Sequence, residues 1–330
     1  MPLDPVAYRP YQDPDDFIRE VTDRIWVQRD ISYITDNYEP DSIVHGGLGT
    51  IAGRDGVIEG SLMRIAQVPQ HVGQAEDVIW ETRGDDAFLS SHLVFSSDTH
   101  LVGGVPVPIR QRTIANCLYR RGRMVEEWVV RDELASCLQR GLDPAEAARD
   151  MAFRGYEGSM TAPAPADVLA VGDSGPRADD FRPECEMVLE FIEEVWNARR
   201  LHKVTDYMPR DLFLHTVGDR TVIRPDGYQR DLLAQVAPFP DARFEVRDVQ
   251  TNQAGRYGGL RIAVVWVMKG SYRGVADFGP LTGRPVDLMG ISQFLVQQGR
   301  IVREVRVFDQ LALRAQINSH ESSFTDTNIY

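Results

Sequence analysis

The chain repeats one pattern twice, and this constrains its fold more than any other feature. RIWVQRDISYITDNYEPDSIVHG (24–46) aligns with EEVWNARRLHKVTDYMPRDLFLHT (193–216): Trp26 falls on Trp196, Asp36 on Asp206 and His45 on His215, each at an offset of 170. Asp55-Gly56, Pro69 and Asp77 then match Asp226-Gly227, Pro240 and Asp248 at an offset of 171. GRMVEEWVVRD (122–132) lies over GRIVREVRVFD (299–309) at an offset of 177. The growing offset gives the second copy about six extra residues, and the segment FGPLTGRP (278–285) is the expected place for them. The length of 330 residues allows about two domains, and the ordered matches make them one domain used twice.

Each copy begins helical and ends as strands. Phe17, Val21 and Ile25 recur at helical spacing, with Asp13-Pro14 as a helix start, and Val188, Ile192 and Val195 repeat the spacing after Pro183. Strands are expected near 42–45 and 212–215, short helices near 56–66 and 227–236. Strands then dominate at 77–82, 87–97, 111–119 and 124–130, and at 242–251, 260–269, 286–297 and 301–308. The fold class is therefore α+β, with N-terminal helices on one face of a curved, mostly antiparallel sheet. Domain 1 spans 1–141 and domain 2 spans 183–318. A Pro/Gly/Ser/Ala-rich linker with a short helix at Asp143-Pro144 occupies 142–182, and 319–330 is a tail.

Several function classes fall away. The net charge of −13 argues against nucleic-acid binding, which needs a basic footprint. No apolar run reaches the ~20 residues of a membrane helix, and the N-terminus lacks a signal-peptide pattern, so a cytoplasmic location is expected. Cys117, Cys137 and Cys185 are far apart and form no zinc or disulfide framework. Gly46-Gly47-Leu48-Gly49 follows no dinucleotide-binding strand and reads as a turn.

Gly122-Arg123-Met124-Val125-Glu126-Glu127-Trp128, with Asp132 and Leu134 beyond it, resembles the ending of the SnoaL-like polyketide cyclases, members of the nuclear transport factor 2-like superfamily. Asp98-Thr99-His100 is similar to a step that follows a long strand in that family. Gly299-Arg300-Ile301 with Asp309, and the turn Thr282-Gly283-Arg284-Pro285, carry the likeness into the second copy. The resemblance implies a cone-shaped α+β barrel with one apolar pocket per copy. It also implies an Asp at the position of Asp132 acting as general acid/base in an aldol ring closure, with no cofactor and no metal.

The residues themselves leave alternatives open. Met124, Glu126, Trp128, Val130 and Asp132 share a face if the strand has no bulge. Asp132 is then either an acid/base beside the Trp128 wall or an exposed residue past the strand end. His100 suits a carbonyl-polarising or relay role, and His92 a wall position. His45 and His215 are either semi-buried hydrogen-bonding residues or acid/base groups at the pocket mouth. Trp80 and Trp266 are candidate pocket walls. Asn116 and Gln293, matched amides, either bind a substrate oxygen or sit exposed. In the second copy Tyr272 stands at the place of His100 and Val305 at that of Trp128, while Asp309 is kept. Tyr272, Asp309 and His215 are therefore that copy's candidates.

Two functions compete. The first is cofactor-independent acid/base chemistry (cyclisation, isomerisation or dehydration) on a small hydrophobic or aromatic carbonyl ligand. The second is a non-catalytic binding or assembly module formed by an intramolecular pseudo-dimer, with a homodimer also open.

Overall fold

The structure, a computed structural model, describes residues 3–47, 49–67, 72–155, 182–253 and 258–318. The first copy opens with α1 (Pro14–Thr22), which continues as a π-helical turn to Val27, and α2 (Ser32–Asn37). The Asp13 carboxylate accepts the Asp16 amide at 2.9 Å, and Pro14 takes the first helical turn, where its missing N–H costs nothing. Then come β1 (Tyr38–Gly46), β2 (Gly49–Ala52), α3 (Arg54–Gln67), β3 (Val72–Thr82), β4 (Ala87–Val102), β5 (Val105–Arg120), β6 (Arg123–Arg131) and α4 (Glu133–Gln139). The predicted linker helix is α5 (Pro144–Gly155). The rest of that linker, 156–181, and the tail from 319 lie outside the described residues.

The second copy repeats the order: α6 (Arg182–Phe191) with its own π-helical turn to Asn197, α7 (Val204–Tyr207), β7 (Phe213–Thr216), β8 (Arg220–Ile223), α8 (Pro225–Val236), β9 (Arg243–Gln253), β10 (Leu260–Ser271), β11 (Pro285–Gln297), β12 (Arg300–Phe308) and α9 (Gln310–Asn318). The sheets run β2-β1-β6-β5-β4-β3 and β8-β7-β12-β11-β10-β9. Within each, only the pairs β1·β6 and β7·β12 are parallel.

Strand register locates the extra residues. Ser91 pairs with Asn116 and Ala263 with Gln293, so the offset between copies is 172 on one strand and 177 on the next. Domain 1 closes β4–β5 with Gly103-Gly104, whereas domain 2 replaces the hairpin end with the loop 272–284. That loop contains the segment predicted to hold the insertion.

The two domains pack sheet against sheet. Leu93, Ile114 and Val130 form one buried cluster with Val265, Ile291, Val305 and Val307. Arg83 bonds Asp248 at 2.8 Å, Arg261 bonds Asp77, and the Gln293 amide donates to the Ser91 carbonyl at 3.1 Å. The pairing reverses one expectation about faces. The β5–β6 register shifts between Leu118 and Tyr119, which leaves Val125 as an extra residue and breaks the parity between Met124 and Trp128. Met124 points into the domain 1 core, while Trp128 packs with Leu89, Leu118 and Met289 against the other domain. The inward face of β6 therefore carries Glu127, Val129 and Arg131.

Candidate functional site

Domain 1 encloses a cavity of about 1140 Å³ between its helices and the inner face of its sheet. A smaller space of about 170 Å³ adjoins it under the β4–β5 hairpin and shares His92, His100, Glu127 and Arg131. Ile18, Val21, Ile25 and Trp26 on the first helix and its π-helical turn wall one side, and Val129 and Cys117 the other. Ala147 and Met151 of α5 and Asp309 of domain 2 complete the rim.

The matched positions explain why this copy is hollow. In domain 2, Tyr228, Trp266, Phe294 and Arg306 are all fully buried. Trp266 lies over Gly290, where an added Cβ would fall 2.1 Å from the ring. The Tyr228 hydroxyl accepts from Trp196 Nε1 at 3.0 Å and from Arg306 at 2.6 Å. Arg306 also bonds Glu304 at 2.8 Å, Asp231 at 3.3 Å and Gln235 at 3.0 Å, which satisfies a buried charge. At the corresponding positions domain 1 has Val57, Val94, Cys117 and Val129, with Gly60 in place of Asp231. Four large side chains become small ones, and the space they would fill lies inside the cavity.

The polar groups in the cavity follow from these exchanges. Glu127 matches Glu304 but faces Val129 where Glu304 has Arg306. No hydrogen bond or ion pair engages its carboxylate among the described residues, and burial pushes its pKa up, with Arg131 opposing. His92 Nδ1 is buried without a partner, and desolvation lowers the imidazole to about 4. His100 Nε2 stands 2.9 Å from the Asp98 carboxylate, close enough for an ion pair when the imidazole is protonated. Arg64 bridges Glu133 at 3.1 Å and Gln111 at 2.6 Å.

Asp309 enters from the second domain. It accepts the Ala312 amide at 2.9 Å and stands over Gly47, whose added Cβ would lie 2.9 Å from the carboxylate. This close approach is the reason for glycine in the β1–β2 turn. Burial first, then Glu133, raises Asp309 to about 7. Asp132 is its counterpart in the other direction. Its carboxylate accepts the amides of Gly218 at 2.8 Å, Asp219 at 3.0 Å and Ala135 at 3.0 Å. It clamps the β7–β8 turn and caps α4, and burial raises its pKa against those three bonds. Asp132 and Asp309 thus each reach the other domain, and of the two Asp309 lines the domain 1 cavity.

The remaining predicted residues scatter. His100 and His92 line the cavity. His45 bonds Glu126 at 2.8 Å and Thr50 at 3.0 Å and stacks on Trp128 at 5.6 Å, on the interdomain side. His215 meets Arg112 at 3.0 Å across the interface and is lowered to about 4, by desolvation first and then by Arg112. Asn116 pairs with Trp128 on the same outward face, and Gln293 bonds Ser91, so neither amide faces a pocket. Trp266 fills the domain 2 interior, and Trp80 packs against the domain 1 core. The Tyr272 hydroxyl donates to the Gly279 carbonyl at 2.7 Å and accepts the Phe278 amide at 2.9 Å, which pins the loop of the insertion.

Glu127 and Arg131 were missed because strand parity defines two faces without saying which is inside. The repeat does hold a signal for Glu127, since Glu127 and Glu304 match at the offset of 177.

Two helix-covered six-stranded sheets, one hollow and one filled, define a tandem α+β pocket protein. Residues 186–317 match the model of the SnoaL-like polyketide cyclase family, and the first domain repeats the strand order of the second. Similar solved structures include a SnoaL-like polyketide cyclase from Agrobacterium tumefaciens, 19% identical over 40% of this chain and 96% of that one, with a TM-score of 0.33. Another, assigned as a SnoaL-like polyketide cyclase from Jannaschia, is 18% identical over 45% of this chain and 98% of that one, with a TM-score of 0.36. No curated protein matches the chain.

Proposed function

We propose that the domain 1 cavity performs cofactor-independent acid/base chemistry on a small apolar or polyketide-like carbonyl compound, by aldol-type cyclisation, isomerisation or dehydration. The observation that carries this reading is Glu127: a carboxylate on the inner wall of an open cavity, without a protein partner, raised by burial. A base so placed takes a proton from carbon next to a carbonyl, and its raised pKa brings it nearer the operating pH. The pair of electrons moves to the carbonyl oxygen as an enolate. His100, with the Asp98 carboxylate 2.9 Å from its Nε2, is the group that donates to or reprotonates oxygen. Val129 and Ile25 offer apolar surface to the body of the substrate.

The filled interior of domain 2 favours a second, structural role for that copy. It supplies Asp309 to the rim and covers the outer face of the domain 1 sheet.

The test is α-proton exchange of the bicyclic ketone 2-tetralone in deuterated water, followed by proton NMR. The wild-type chain accelerates exchange above buffer, and Glu127→Gln removes at least 100-fold of that acceleration. No acceleration by wild type, or an unimpaired Glu127→Gln, counts against the reading.

A further inference from the structure

Arg131 ends the inner face of β6, inside the same cavity. Arg64 is the strongest charged neighbour, followed by Glu133, Glu127 and Asp309; none of these acids is within ion-pair distance, and the guanidinium makes no hydrogen bond to any described residue. Glu133 is committed to Arg64 at 3.1 Å, and Asp309 to the Ala312 amide at 2.9 Å. Arg131 is half-buried and keeps its charge at any working pH, so it stands as a fixed cation facing the cavity.

The same molecule shows a buried arginine with its needs met. Arg306 in domain 2 has two acids, an amide and a phenol within 3.3 Å. Packing does not require a cation at position 131 either, because the matched residue is Phe308, which packs on Trp266. What remains is a planar cation with no direct partner among the described residues, on a cavity wall whose apolar part is Ile18, Val21, Ile25 and Trp26 and whose charged part includes Arg64, Glu127 and Glu133. A planar two-oxygen anion complements it through paired N–H···O bonds.

We propose that the ligand of the domain 1 cavity bears a carboxylate, which Arg131 binds while Ile18, Val21, Ile25 and Trp26 enclose its apolar body. This rests on the reading of the cavity as a ligand site and names the substrate class: an apolar or aromatic carbonyl acid.

The test uses the full chain with 2-naphthoate and the isosteric neutral 2-naphthamide, read by quenching of tryptophan fluorescence and by calorimetry. Wild type should bind naphthoate at least ten-fold more tightly than naphthamide, and that preference should shrink as salt rises. Arg131→Met should abolish the preference while leaving naphthamide affinity within about two-fold; Arg131→Lys should retain part of it. If Arg131→Met does not fold, the wild-type preference, its salt dependence and Arg131→Lys still decide. Equal binding of both ligands by wild type, or a preference that survives in Arg131→Met, overturns the carboxylate anchor and leaves the cavity as a site for neutral ligands. Failure of both ligands to bind overturns the ligand site itself, and the anchor with it.

Discussion

Exchanging matched interior residues should change stability in opposite directions in the two domains. Phe294 is buried at 1% exposure, with the Phe191 ring 6.4 Å away, and its counterpart Cys117 lines the cavity. Phe294→Cys deletes most of a ring from a filled core. Large-to-small core changes of a phenylalanine cost about 3–5 kcal/mol, and the retained sulfur places this one near the lower bound, at about 3 kcal/mol. Cys117→Phe instead puts a ring into about 1140 Å³ of existing space. Burying a phenylalanine side chain contributes roughly 1.5–3 kcal/mol, less what Cys117 already contributes, which leaves a gain of about 1 kcal/mol. For a unit of this size, a gain of that order raises Tm by about 2–4 °C. Urea unfolding and thermal scans read both changes, and naphthoate titration should show Cys117→Phe weakening binding at least ten-fold. In a core packed to ordinary density the same insertion would cost about 1–3 kcal/mol. A loss of that size in Cys117→Phe, with ligand affinity unchanged, would refute the contrast between hollow and filled copies.

Further consequences follow from the interface. Asp132→Ala removes the acceptor for the Gly218, Asp219 and Ala135 amides and should destabilise the chain by about 3 kcal/mol in urea unfolding. An acid/base role for Asp132 would instead require loss of turnover with Tm unchanged. His215 should make stability sensitive to acid. Its folded pKa of about 4 lies below the unfolded value of 6.5, so the unfolded state holds more protons between those values. Stability from this group is present above pH ~6.5 and is lost as pH falls toward 4. His215→Gln should flatten that part of the unfolding profile.

The fold was largely legible in the residues, and the site was only half so. The repeat of Trp26, Asp36 and His45 at one offset required two like units, and apolar spacing at Phe17, Val21 and Ile25 placed the first helix. Strand ends were less legible: β4 and β5 run on to a Gly103-Gly104 turn that residue types alone left unassigned. His100 and His92 proved to line the cavity, whereas Asp132, His45, His215 and Trp128 lie between the domains. That side of β6 is as apolar and as polar by turns as the other, because both faces of the sheet are buried: one by helices, one by the second sheet. Alternation distinguishes faces only where one of them meets water.

By itself, the sequence determined that the chain is a duplicated α+β domain. Local propensities and residue spacing repeat wherever the residues do, and this needs no knowledge of distant contacts. Only the tertiary structure decided which copy is hollow, which face of β6 is the inner one, and that Asp309 serves the other domain's cavity. The reasons are a one-residue bulge at Val125 and the stacking of two sheets. Both depend on contacts between residues up to some 200 positions apart, such as Gln293 with Ser91, and no local pattern encodes them.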